Sequence, residues 1–112
     1  MHQMSQEMQA CIDACQRCHA SCLSMAMTHC LEAGGAHVAP DHMRIMADCA
    51  TICATAADFM LRNSAHHAAV CRVCADVCEA CAASCEKLDG MEECVVACRA
   101  CAESCRRMAE SA

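Results

Sequence analysis

Residues 71–85 read CRVCADVCEACAASC, with cysteines at successive intervals of three, four, three and four residues. Intervals of three and four residues follow one face of an α-helix, whereas a strand alternates every two residues. The stretch therefore predicts a helix that carries five thiols on one face. Ala, Glu, Arg and Asp lie between the cysteines, and these residues favour a helix or suit its solvated outer surface.

The same spacing occurs in three other segments, which predicts four helices in all. Residues 11–22 read CIDACQRCHASC, residues 49–53 read CATIC, and residues 94–105 read CVVACRACAESC, while Cys30 lies eight residues beyond Cys22. Gly34 and Gly35 suit a helix end, and Pro40 suits the first position of the next helix.

Two further signals locate the last two helices. Asn63 or Ser64 can cap the third helix, and Asp89 followed by Glu92 is typical of a capping box at the start of the fourth. We expect helices at about residues 4–31, 40–61, 64–88 and 90–109, joined by short connectors. The prediction is an all-α fold: one domain over residues 1–112, an antiparallel up-down-up-down four-helix bundle with a cysteine-lined core.

The composition makes this core unusual. Of 112 residues, 57% are hydrophobic, but 16 are Cys, 10 are Met and only one is aromatic. Large aliphatic and aromatic side chains are too few to fill the interior, so the thiols must do so. Three Gly and one Pro are too few for a loop-rich disulfide scaffold.

Charge and hydropathy exclude other classes. A net charge of −6 without a basic cluster argues against nucleic acid as a partner, and the sequence contains no apolar run of about 20 residues to span a membrane. The first ten residues lack the basic and apolar regions of an export signal. We therefore expect a cytoplasmic protein whose thiols stay reduced.

Thiols stacked on several helices favour a soft-metal site inside the bundle, because residues three or four apart have Cβ atoms about 5–6 Å apart. Soft thiolates select Cu(I), zinc or iron–sulfur clusters. Charge favours Cu(I), since one monovalent ion per thiolate leaves the core near neutral, whereas each tetrathiolate zinc site carries −2. The predicted ligands are all sixteen cysteines: Cys11, Cys15, Cys18, Cys22, Cys30, Cys49, Cys53, Cys71, Cys74, Cys78, Cys81, Cys85, Cys94, Cys98, Cys101 and Cys105.

These cysteine runs in four helices resemble those of the bacterial copper storage proteins, over essentially the whole chain. The resemblance implies storage of many Cu(I) ions by thiolates in the core of a cytosolic protein, and assembly into a homotetramer. A copper chaperone or chelator is the expected donor. An iron–sulfur or zinc-binding protein and a thiol redox protein are the alternatives. We expect no enzyme, because the C-x-x-C pairs lie within helices and no catalytic triad or carboxylate dyad is visible.

Methionines and histidines extend the cysteine faces at both ends of the predicted bundle. Met25, His29, His42 and Met46 are predicted as additional metal ligands at one end, beside the connector that carries His37, where we expect copper to enter. At the other end Met4, Met60, His67 and Met108 are expected to form an apolar plug. His19 and His66 fall off the faces and are expected at the surface.

Overall fold

The computed structural model describes residues 4–111, which form four long helices joined by three short connectors. Helix α1 comprises Gln6–Met25, a π-helical turn at Ala26–Cys30 and a last α-helical turn at Leu31–Ala33. Helix α2 is Pro40–Leu61, α3 is His67–Glu86 and α4 is Glu92–Ser111. A 3₁₀ turn, Gly35–Val38, precedes α2.

The helices form the predicted bundle. Each packs against its neighbours in the chain, and α1 also packs against α4, which closes the ring of four. The molecule measures 47 × 22 × 19 Å, so it is long and narrow. None of the helices in the described residues is long and apolar enough to cross a membrane.

The sequence signals for the first connector are confirmed. The φ angles of Gly34 and Gly35 are 67° and 54°, which glycine adopts without the steric cost of a Cβ atom. Pro40 is the first residue of α2, where its missing N–H costs nothing.

The helix starts predicted for α3 and α4 are wrong by two or three residues. Asn63 has a φ of 53° and Ser64 Oγ accepts a hydrogen bond from the backbone N–H of His66, so both residues form a turn before α3 begins at His67. Asp89 is not the cap of α4 either, because that helix begins at Glu92 and its first backbone hydrogen bond runs from the N–H of Val95 to the carbonyl of Met91.

The core consists of small and sulfur-containing side chains. All sixteen cysteines are fully buried, as are Met46, Met60 and Met91, and the alanines between them complete the helix contacts. Ser21, His42 and Ser104 are the buried polar side chains in the described part of the chain. Small residues let the helix axes approach closely, which brings sulfur atoms from all four helices together.

Candidate metal centre

The sixteen thiols form one continuous column along the bundle axis. All are free of disulfides, and neighbouring Sγ atoms on different helices lie 3.5–4.0 Å apart. Cys18, for example, lies 3.6 Å from Cys49 on α2 and 3.7 Å from Cys98 on α4. The predicted cysteine-lined core is therefore present, with every thiol free.

Twelve of the cysteines fall into five sets whose Sγ atoms all lie within 4.8 Å of one another. Four sets have four thiols and one has three, and most members belong to more than one set. The sets are Cys11, Cys71 and Cys105; Cys15, Cys74, Cys101 and Cys105; Cys53, Cys74, Cys78 and Cys101; Cys18, Cys49, Cys53 and Cys78; and Cys18, Cys22, Cys49 and Cys98.

These spacings suit metal–thiolate bonds without a large movement of the backbone. Two thiolates on opposite sides of one ion are at most about 4.6 Å apart if each bond is near 2.3 Å, the value for zinc. The observed Sγ separations of 3.5–4.0 Å fall within this limit. Because the sets share members, an ion in one set would share thiolates with an ion in the next.

The remaining four cysteines, Cys30, Cys81, Cys85 and Cys94, lie towards the end of the bundle where α1 ends and α4 begins. Cys81 and Cys85 lie 3.6 and 3.5 Å from the Met46 thioether. This end of the column therefore combines thiols with other soft donors.

Two further donors surround Cys30 at this end. Its Sγ is 3.5 Å from His42 Nε2 and 3.8 Å from Met91 Sδ. Ser84 fixes the imidazole of His42, because Ser84 Oγ lies 2.8 Å from Nδ1 and leaves Nε2 facing the thiol.

The thiols at this end hold their protons at neutral pH. Burial raises the pKa of Cys30, and the nearby Cys85 raises it further. A hydrogen bond with Cys22 raises the pKa of Cys94 to about 12. Burial lowers the pKa of His42, so its imidazole is neutral and able to bind a metal. A metal ion that binds here must displace thiol protons.

The four additional ligands predicted at this end differ in whether they contact thiols. His42 and Met46 are buried and contact thiols. Met25 is half-buried and packs against the core. His29 Nε2 instead donates a hydrogen bond to the backbone carbonyl of Asp89, 3.0 Å away.

The opposite end of the column is apolar, as predicted. Met60 and Met108 are buried beyond the last thiols, and Met4 is partly buried and packs against the core. The Nδ1 atom of His67 is buried there and has no hydrogen-bond partner among residues 4–111. His66 is exposed, as expected, but His19 is half-buried and its Nδ1 lies 2.8 Å from the carbonyl oxygen of Ala50 on α2.

The sequence analysis missed the serines of the core. Ser21 and Ser104 are buried, and the Oγ of Ser21 lies 3.6 Å from the Sγ of Cys94. The sequence does contain a pattern that could have predicted them. Ser21, Ser104 and the Ser84 that contacts His42 each lie three residues after one cysteine and directly before another, in CHASC, CAESC and CAASC. Helical spacing places such a serine beside the thiol face.

Fold and site together define a class of protein: a four-helix bundle whose interior is a column of thiols suited to soft metal ions. Residues 4–110 match the family model described as copper storage protein. The chain belongs to the copper storage protein family, a family of storage proteins rather than enzymes.

Three relatives show how far the similarity extends. The Nmul_A1745 protein of Nitrosospira multiformis is 60% identical, with a TM-score of 0.96 over 97% of this chain and 100% of that one. The Cu(I)-bound copper storage protein BsCsp3 is 40% identical, with a TM-score of 0.84 over 93% of this chain and 99% of that one. The uncharacterized cysteine-rich protein YhjQ of Bacillus subtilis is 41% identical over 65% of this chain and 67% of its own length.

Proposed function

We propose that this protein stores Cu(I), binding many ions through cysteine thiolates inside the bundle. The observation that carries the proposal is the column itself: sixteen fully buried thiols, twelve of them in five overlapping sets of three or four. The similarity to a Cu(I)-bound relative over 93% of the chain supports it.

Charge distinguishes Cu(I) from zinc in this core. The buried polar side chains of residues 4–111 are Ser21, His42 and Ser104, and no lysine or arginine in that range is buried. Tetrathiolate zinc sites would each leave −2 in this apolar interior, at a large desolvation cost. Monovalent ions at about one per thiolate remove that charge. Thiolates shared between adjacent sets favour the same stoichiometry.

The end of the column at Cys30 is proposed as the place where copper enters and leaves. His42 and Met46 are proposed as additional ligands there, since both contact thiols. Met25 is proposed to assist at the same end, and His29 to act there through its contact with the carbonyl of Asp89. Thioether and imidazole bind Cu(I) less tightly than thiolate, so ions held by them can pass inward.

The cellular setting belongs to the same proposal. We infer a single-domain, non-enzymatic, cytoplasmic protein that receives copper from a chaperone or chelator and forms a homotetramer. An exposed apolar row on α1 supports an assembly: Leu23, Met27 and Leu31 follow each other at intervals of four residues and are each about half exposed. The uniform use of free thiols suits a reducing compartment.

An anaerobic titration of the reduced protein with Cu(I) tests the function. The sulfur-to-copper charge-transfer absorbance should rise to a break point at about one ion per cysteine, with about one proton released per ion. A variant with Cys18→Ser and Cys49→Ser, which removes thiols shared by two sets, should reach its break point earlier. The exposed substitution Ser24→Ala is the matched control and should change nothing.

Other outcomes would contradict the proposal. A break point at about four ions, with zinc displacing copper readily, would indicate tetrathiolate sites instead. Visible absorption and an EPR signal after reconstitution with iron and sulfide would indicate a cluster protein.

A further inference from the structure

Two histidines meet at the end of the bundle that contains Cys30. His29 at the end of α1 and His37 in the first connector each point Nε2 at the backbone carbonyl of Asp89, at 3.0 and 2.8 Å. Their rings meet edge to face, with centroids 5.1 Å apart. Both Nε2 atoms donate, since a carbonyl oxygen can only accept. We call these two imidazoles and the carbonyl of Asp89 the histidine clasp.

The clasp is packed tightly onto the connector between α3 and α4. Gly90, next to Asp89, has a φ of 77°, and a Cβ atom there would lie 2.7 Å from the ring of His29. Glycine is therefore needed both for the backbone conformation and for the close approach of the ring. The connector, residues 87–91, is held against α1 by these contacts.

A groove runs beside the clasp, between the end of α3 and the start of α4. Its volume is about 360 Å³. Cys85 and Met91 form its floor and have no exposed surface, whereas Glu86 and Glu92 are exposed at its rim. Leu88, from the clasped connector, is half-buried and forms part of the wall.

The floor of this groove is continuous with the thiol column. Met91 Sδ lies 3.8 Å from the Sγ of Cys30, and the Sγ of Cys85 lies 3.5 Å from Met46 Sδ. A metal ion bound between Cys85 and Met91 is therefore one step from donors that contact the interior. The groove is therefore a lateral approach to the column, beside the clasp at the same end of the bundle.

We propose that Cu(I) enters through this groove, that Cys85 and Met91 form its first binding position, and that the histidine clasp restricts access to that position by holding the connector in place. The inference rests on the proposed storage of copper and adds a route and a gate. At the rim Glu86 is paired with Arg99, so Glu92 is the carboxylate that can attract a cation there. A thiolate and a thioether at the floor are the soft donors that Cu(I) prefers.

Filling the groove tests the route. Val96 is 66% exposed and lines this groove, whereas Val73 is 51% exposed and lines a groove of similar size between α2 and α3, about 350 Å³. Val96→Trp should slow the uptake of Cu(I) from a chelator complex about tenfold, the effect of about 1.4 kcal/mol on a barrier. Val73→Trp is the matched control and should leave the rate unchanged.

The rate of Cu(I) uptake and the number of ions bound are measured separately. Stopped-flow absorbance of the charge-transfer band gives the rate, and an equilibrium titration gives the number of ions bound. Both tryptophan variants should keep the parental capacity, since neither valine is a ligand. Equal rates for the two variants at full capacity would overturn the route but leave the storage function standing. A parent protein that binds no Cu(I) would overturn the function itself.

Opening the clasp tests the gate. His29→Ala combined with His37→Ala should accelerate uptake, because the connector is released. Gly90→Ala is an independent way to break the clasp, since the added Cβ meets the ring of His29. Far-UV circular dichroism confirms that each variant is folded.

A decrease in the uptake rate would have a different meaning. Slower uptake in both clasp variants would show that the histidines assist passage, and would overturn their role as a gate. Met91→Leu removes the thioether while keeping an apolar side chain, and should slow uptake whether the clasp is intact or open. An unchanged rate in Met91→Leu would overturn the assignment of the first binding position.

Discussion

Each thiol in the column belongs to a network of other thiols, and this sets its protonation. A hydrogen bond with Cys81 lowers the pKa of Cys85, but a hydrogen bond with Cys94 and burial outweigh it and raise the pKa to about 11. The ordinary value is 9.0, so this thiol stays protonated in the folded protein over a range where the unfolded chain is ionised. The pKa values of Cys30 and Cys94 are raised in the same sense.

The metal-free protein should therefore lose stability in alkali. Above pH 9 the unfolded state binds fewer protons than the folded state, so the free energy of unfolding falls as pH rises. Each thiol with a raised pKa contributes a slope of up to about 1.4 kcal/mol per pH unit between its two pKa values. Urea unfolding of the reduced, metal-free protein, followed by circular dichroism at neutral and alkaline pH, measures this slope.

The control for this prediction is Cys94→Ala. The substitution leaves a small cavity that lowers stability at every pH, but it should make the alkaline decline shallower because one such thiol is gone. A free energy of unfolding that rises above pH 9 would contradict the assignment of raised pKa values.

Among the elements, α1 departs most from regular geometry, and the reason lies in its cysteine spacing. In a regular α-helix Cys30 would lie about 80° around the axis from Cys22, at the edge of the thiol face. The π-helical turn at Ala26–Cys30 absorbs one residue, so the effective interval is seven, about 20° short of two full turns. The turn thus brings Cys30 closer to the line of the other thiols, and Cys30 is fully buried.

Deleting Met27 should convert the π-helical turn to regular α-helix. Met27 is 52% exposed, and its removal leaves seven residues between the two thiols, so copper capacity should equal that of the parent. Deleting the exposed Ala80 is the matched control, because α3 is regular there and the deletion rotates Cys81 and Cys85 by about 100°. That variant should bind fewer ions and unfold at lower urea concentration. A loss of capacity on deleting Met27 would show that the π-helical turn is itself required.

The helices could be predicted because their cysteine spacing is repeated many times. Their ends could not, because contacts distant in sequence decide them. The start of α4 is one example: the Asp89–Glu92 pattern indicates a cap, but His29 and His37 hold the carbonyl of Asp89 from another part of the chain. The π-helical turn could not be predicted, because an interval of eight residues also fits the edge of one face of a regular helix.

At the scale of the whole molecule, a narrow bundle replaces a conventional hydrophobic core. Buried cysteine behaves as a small apolar side chain, and alanines such as Ala56 and Ala75 have no exposed surface between the helices. On the outside, Arg106 on α4 pairs with Asp76 and Glu79 on α3. Such exposed ion pairs add little stability, so the packing of the thiol column itself must hold the metal-free fold together.

The metal-free protein should accordingly be folded before copper arrives. Its thiols are buried and already spaced 3.5–4.0 Å apart without an ion, so loading needs side-chain rotation and loss of protons, with little change in the helices. Far-UV circular dichroism should stay nearly constant during a Cu(I) titration, while the melting temperature rises because the ions bind the folded state more tightly than the unfolded chain. A coil-to-helix transition on loading would contradict this, and would show that copper is needed to form the bundle, as zinc is in a zinc finger.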